Sequence, residues 1–86
     1  AFQLEQNYPN PFNPTTTINY AIPSSGSVRL EVYNIMGQRV ATLINAPQAA
    51  GNYSVQFNAA NLASGVYIYR LQHGQHVQVQ KMLLIK

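Results

Sequence analysis

The chain has no cysteine, no tryptophan and only two acidic residues, Glu5 and Glu31, among 86. Without cysteine there is neither a disulfide nor a thiolate metal site, and any fold rests on packing alone. Two isolated carboxylates offer no acid/base pair. Charge of both signs is scarce, at 8% of residues, against about 25% in an average soluble domain. The five cations, Arg29, Arg39, Arg70, Lys81 and Lys86, are scattered along the chain. They form no basic stripe that would track a phosphate backbone, so nucleic acid is excluded as a partner. There is no glycine-rich phosphate loop. No apolar run approaches the ~18 residues a membrane span needs, so no direct membrane insertion is expected. No basic stretch precedes an apolar one, so no secretory signal is present in these residues. Ala1 stands first, and the expectation is a fragment from the C-terminal end of a longer protein.

What is present is amide and apolar. Asn and Gln occur nine times each, giving a neutral, hydrogen-bonding surface that suits an extracellular setting. At 86 residues there is room for one core that buries roughly 60–65% of the unfolded surface. The two ends carry the most distinctive segments. Near the start, Pro9, Pro11 and Pro14 fix φ and push Tyr8, Asn10 and Asn13 into extended conformations. Phe12 is the one large apolar group between them and is the expected anchor to the core. The last residues, Lys81-Met82-Leu83-Leu84-Ile85-Lys86, read as an apolar strand with a lysine at either end.

Between the ends the chain alternates in period two. Ile18, Tyr20 and Ile22 mark a strand over Thr15 to Ile22. Pro23-Ser24-Ser25-Gly26 reads as a turn, and Val28, Leu30 and Val32 as the inner face of the next strand. Glu31 falls on that strand's outer, solvated face. Ile35-Met36-Gly37-Gln38 is a short hairpin connection, with Gly37 suited to φ > 0. A third strand carries Val40 and then Leu43 or Ile44, a spacing that implies a bulge. Asn45 to Asn52 reads as a loop and Tyr53, Val55 and Phe57 as a fourth strand. One helical turn around Leu62 is expected, closed by Gly65. Val66 to Gln72 is apolar on both faces, the mark of a central strand. His73-Gly74-Gln75 is a tight turn, and the phase of the last strand slips near Lys81.

About seven short strands and no helical period point to an all-β fold, an antiparallel immunoglobulin-like β-sandwich. The expectation is one domain over 1–86, with 1–7 a linker end and 8–86 the sandwich. His73 and His76 read as turn-tip histidines in solvent; with no third ligand nearby they make no metal site. Ser64 lacks a nucleophile's frame and reads as a turn residue. Tyr20, Tyr53 and Tyr67 fall on core parities, while Tyr33 and Tyr69 face outward or toward the opposite sheet. Core packing is favoured over a sugar-binding platform. Nothing calls for a cofactor, and no catalytic constellation is present.

Four ordered blocks closely resemble the type IX secretion C-terminal sorting domains of Bacteroidetes-like bacteria. They are Gln6 through Tyr20 (with Pro9-Asn10-Pro11-Phe12-Asn13-Pro14), Val32 through Val40, Ala50-Gly51-Asn52-Tyr53, and Leu62 through Tyr67. The ending Lys81 to Lys86 is similar to that family's terminal strand. The middle blocks also resemble the immunoglobulin-like domain of flagellar hook-capping proteins; the lysine-flanked ending sets this chain apart from it. Where family members often carry Trp-Asp-Gly, this chain has Phe57-Asn58-Ala59.

The resemblance implies a non-catalytic sorting signal that directs an N-terminal cargo through the outer membrane. The implied partners are the type IX translocon, its periplasmic and outer-membrane recognition proteins, and a sortase-like surface protease. The implied path runs through the periplasm to the cell surface or the medium, with cleavage and surface attachment. As recognition elements it implies Lys81, Met82, Leu83, Leu84, Ile85 and Lys86, with Gly37, Gly51 and Gly65 setting shape. Two readings of the terminal strand stay open: a partner pairs with it as a strand, or it is core and the partner reads a composite surface. The competing functions are an ancillary carbohydrate-binding module and a structural immunoglobulin-like spacer.

Overall fold

Alternating apolar residues fold into seven antiparallel strands in the computed structural model, which describes residues 1–86. They are β1 (Gln3–Leu4), β2 (Thr15–Ile22), β3 (Gly26–Asn34), β4 (Arg39–Gln48), β5 (Gly51–Asn58), β6 (Gly65–His73) and β7 (His76–Leu84). One sheet has the order β1-β2-β5 and the other β4-β3-β6-β7. The two sheets enclose a core of Ile18, Tyr20 and Ile22 from β2, Val28, Leu30 and Val32 from β3, Tyr67, Tyr69 and Leu71 from β6, and Met82 and Leu84 from β7. This is an all-β sandwich. In the constant-type immunoglobulin arrangement the fourth strand joins the first sheet; here β4 stays hydrogen-bonded to β3.

The central position expected for Val66 to Gln72 is observed, since β6 pairs with both β3 and β7. The bulge in the third strand is there twice. Leu30 pairs with Ile44 and Glu31 with Thr42, skipping Leu43; Val32 pairs with Ala41 and Tyr33 with Arg39, skipping Val40. Each extra residue resets which face the next side chain takes, and this is why Val40 and Leu43 break alternation.

Several expectations are corrected. The stretch read as a linker end contributes β1, with Leu4 and Asn7 buried. The Asn45 to Asn52 loop shrinks to Ala49 and Ala50, because β4 runs on to Gln48 with Pro47 opposite Ser27. Proline is tolerated there because β4 is an edge strand. The helical turn at Leu62 is a single bond from Leu62 N to Ala59 O of 3.0 Å, with no helix. The register of β7 against β6 is unbroken from His76 to Leu84, so there is no phase slip. Val77 and Val79 simply face outward, and Gln78 and Gln80 take the inner face. There Gln78 accepts from Leu4 N (2.8 Å) and Gln80 donates to Leu4 O (3.1 Å). Two amides thus satisfy the free edge of β1, which an aliphatic side chain could not do.

His73 is also not a solvent residue. It is buried, with Phe2 stacked against both His73 and His76 at 6.4 and 5.2 Å. Tyr69, wholly buried, donates to Glu5 O at 2.6 Å. Burial pushes its hydroxyl up to about 12, so it stays a donor at ordinary pH.

Glu31 is corrected from solvated to buried, at 3% exposed. Its carboxylate accepts from Tyr33 Oη (2.8 Å) and Arg39 Nη1 (3.0 Å), with Arg29 Nε at 3.6 Å. Burial pushes the Glu31 pKa up, but these hydrogen bonds and the two guanidinium charges outweigh it, leaving it below its ordinary value. A depressed folded pKa means the stabilisation is complete above the unfolded value and drains away as pH falls through the folded one. Glu31→Gln is expected to lower stability by about 1–2 kcal/mol at pH 7. In urea titrations the gap between variant and parent should narrow by pH 3; a constant gap would show that the carboxylate's charge contributes nothing.

The strands run between two poles. Ile22 pairs with Gly51, Gly26 with Gln48 and His73 with His76 at the pole that carries Phe2 and the N-terminus. Thr15 pairs with Asn58, Asn34 with Tyr67 and Gly65 with Leu84 toward the other. That second pole gathers the proline segment, the β3–β4 hairpin tip, the β5–β6 turn and the end of the chain.

Candidate functional site

The proline segment and the terminal strand, 70 residues apart in sequence, are one structure. Strand β7 is an edge of its sheet, so its odd residues point backbone groups away from β6 and need partners. The proline segment supplies them. Phe12 N donates to Leu83 O and Ile85 N to Phe12 O, both at 3.0 Å, a short parallel pairing. Leu83 N donates to Asn10 Oδ1 at 3.0 Å, and Gln6 Nε2 to Lys81 O at 2.6 Å. Proline cannot donate, so the bonds come from the residues between the prolines, at Asn10 and Phe12.

This collar is itself pinned. Tyr8 and Thr17 exchange backbone bonds at 3.0 and 2.9 Å. Buried Asn7 donates to Pro9 O (3.1 Å) and Thr16 Oγ1 (2.9 Å), and Thr16 donates to Pro9 O (2.8 Å). Pro14 O accepts from Ala59 N at 2.8 Å. Phe12 itself is buried against Phe57, with centroids 6.2 Å apart; it is the anchor the sequence indicates.

Side chains of residues 81–86 divide by face. Met82 and Leu84 are fully in the core, while Lys81, Leu83, Ile85 and Lys86 are exposed. Lys86 is tied down at both ends: its N donates to Ser64 Oγ (3.0 Å) and its Nζ to Ala60 O (2.6 Å). Ser64, read as a turn residue, thus also holds the end of the chain.

The shape-setting glycines do not form one cluster. Gly65 pairs with Leu84 beside the terminal strand, Gly37 sits at the hairpin tip of the same pole, and Gly51 lies at the opposite pole. At Gly37 (φ 81°) and Gly65 (φ 151°) a Cβ would meet open space, so backbone conformation and not crowding demands glycine. Gly65 precedes Tyr67, whose hydroxyl donates to Ala63 O at 2.6 Å. Gly51 likewise precedes Tyr53, whose hydroxyl donates to Ala49 O at 2.6 Å. Each tyrosine ties the start of its strand to the turn before it, as the tyrosine corner of immunoglobulin-type sandwiches does. The repeated Gly-x-Tyr spacing is a sequence signal for this device that the alternation pattern hides. Gln6, Asn7, Thr16, Gln78 and Gln80, which complete the collar and the β1 edge, give no sequence signal, because their partners lie on other strands.

Tyr20, Tyr67 and Tyr69 are buried and Tyr53 stacks on Tyr20 with centroids 5.3 Å apart. Tyr8 is the one strongly exposed tyrosine, at 80%. Tyr20, Tyr67 and Tyr69 therefore belong to the core, with Tyr53 packed against it.

A family model described as a secretion system C-terminal sorting domain matches residues 6–86. The match begins at Gln6, the first residue of the collar. No curated protein matches the chain.

Proposed function

From the premise that this chain belongs to the family of type IX secretion C-terminal sorting domains, we propose that it works through a composite surface at the pole of the terminal strand. A domain of this family is a sorting signal for the protein ahead of it. It directs that cargo across the outer membrane, to the cell surface or the medium, by engaging the type IX machinery. The match over residues 6–86 is the observation that carries this reading.

The finer steps are ours. Residues 1–86 act as one non-catalytic domain. The cargo reaches the periplasm, and a recognition protein of the machinery there reads Lys81, Leu83, Ile85 and Lys86 together with the Asn10–Pro11 rim beside them. Met82 and Leu84 hold the strand in register and Phe12 holds the rim. Gly37, Gly51, Gly65 and Tyr67 set the turns that fix the frame. A partner would contact side chains and not add a strand, because the outward backbone groups at Lys81 O, Leu83 and Ile85 N already have partners. Beyond the membrane, a surface protease removes the domain and the cargo is attached to the cell envelope.

The test is export of a periplasm-directed fluorescent reporter fused ahead of residues 1–86 in a type IX-competent bacterium. The parent fusion is expected outside the cells. Lys81→Gln/Lys86→Gln and Leu83→Gln/Ile85→Gln should melt close to the parent yet stay in the periplasm. Export of both variants at the parent's level would overturn the composite surface, and retention of the parent would overturn the sorting role.

A further inference from the structure

The β3–β4 hairpin ends in two adjacent large apolar side chains, Ile35 and Met36, that are 75% and 76% exposed. Among the large apolar residues only Tyr8, at 80%, is more exposed. Turns favour Gly, Asn, Asp and Ser, and the hairpin tip already has them in Asn34 and Gly37. Asn34 Oδ1 accepts from both Met36 N and Gln38 N at 3.0 Å, and Asn34 Nδ2 donates to Gln38 Oε1 at 2.9 Å. Backbone bonds join Asn34 N to Gln38 O (2.9 Å) and Gly37 N to Asn34 O (3.0 Å). The tip uses only the backbone of Ile35 and Met36. Their side chains stand three-quarters in solvent, while the clamp around them fixes the backbone that carries them.

We propose that Ile35 and Met36 are a second anchor of the sorting signal, inserted into an apolar pocket rimmed by carboxylates on the machinery protein that reads the terminal strand. The inference rests on the sorting role above and names a contact outside residues 81–86. Three observations select this occupant. First, the tip lies at the same pole as Lys81–Lys86, so one partner can span both. Second, that pole carries Lys81 and Lys86 but no free acidic side chain: Glu31 is buried among arginines, and Glu5 belongs to the segment after β1. An acidic rim is the complement. Third, a second copy of this chain cannot supply that rim, since Glu5 is its single exposed acidic side chain. A lipid surface fits less well, because lipid-reading patches use about 4–8 basic residues, whereas this pole offers Lys81, Lys86 and the Glu31-paired Arg39. The preset clamp lowers the ordering cost of binding, as a pre-organised anchor should.

The experiment compares three reporter fusions in the type IX-competent host: the parent, Ile35→Gln/Met36→Gln, and Val77→Gln/Val79→Gln. The last pair is also exposed, at 45% and 56%, and controls for loss of surface apolarity. All three should melt alike. Export of the hairpin variant should fall about tenfold or more, as loss of a buried anchor pair does, while the control exports like the parent. Alanine at both hairpin positions should reproduce the loss. Equal export of parent and hairpin variant overturns this inference and leaves the sorting role standing. Retention of the parent overturns both. Parent binding to phosphatidylglycerol vesicles that the hairpin variant loses would assign the anchor to lipid and overturn the protein pocket.

Discussion

Phe12→Ala is expected to destabilise the domain by about 3–5 kcal/mol, the usual cost of truncating a buried phenylalanine. For 86 residues the whole folding stability is about 4–13 kcal/mol, so this one change removes about a quarter of it or more. Phe12 is 2% exposed and packs on Phe57. Its backbone also accepts from Ile85 and donates to Leu83. Losing the ring therefore loosens the collar as well as the core, and the outward edge of β7 is exposed to water. The thermal midpoint should drop by about 15 °C or more, followed by circular dichroism. Tyr8→Ala, four residues earlier at a position 80% exposed, should leave the midpoint within about 2 °C. A drop below about 1 kcal/mol for Phe12→Ala would mean that the proline segment is not docked in solution. The same variant should fail in export, through unfolding and not through a lost contact.

Deleting residues 81–86 is expected to unfold the domain outright. The deletion removes Met82 and Leu84, two fully buried side chains, each costing about 2–5 kcal/mol even when only shortened to alanine. It also removes the β7 half of four cross-strand pairs, from Gly65 to Ile68, and leaves the Asn10 side chain and the Phe12 backbone without their partners. The sum exceeds the stability of a domain this small. The far-ultraviolet spectrum of the truncated protein should be that of an unfolded chain at 25 °C. A cooperative melt near the parent's would contradict the account of the core given above. The consequence for export is direct. Retention of the truncated fusion reports loss of fold and cannot identify which residues are read; only the outward substitutions at Lys81, Leu83, Ile85 and Lys86 can do so.

Alternation by itself determined most of the strands. Ile18-Asn19-Tyr20-Ala21-Ile22 and Val28-Arg29-Leu30-Glu31-Val32 each place a buried row opposite a surface row, and this local rule needs no knowledge of the partner strand. Phe12 was legible because it is the single large apolar side chain between Pro9 and Pro14. The family was legible in four ordered blocks, which depend on residue identity and not on contacts.

What only the tertiary structure decided is where backbone and polar partners come from. Gln78 and Gln80 sit on an inward parity and look like errors of phase until Leu4, more than 70 residues away, is seen to need their amides. Glu31 looks solvated from its parity, yet Tyr33 and the side chains of Arg29 and Arg39 close over it. His73 looks like a turn tip until Phe2 covers it. The collar is the largest such case: Asn10 and Phe12 meet Leu83 and Ile85 because two edges must each satisfy unpaired groups. Hydrophobic periodicity records which face a residue takes within its own strand. It carries no record of which distant edge that strand will meet, because hydrogen-bond partners are chosen by proximity in the finished fold.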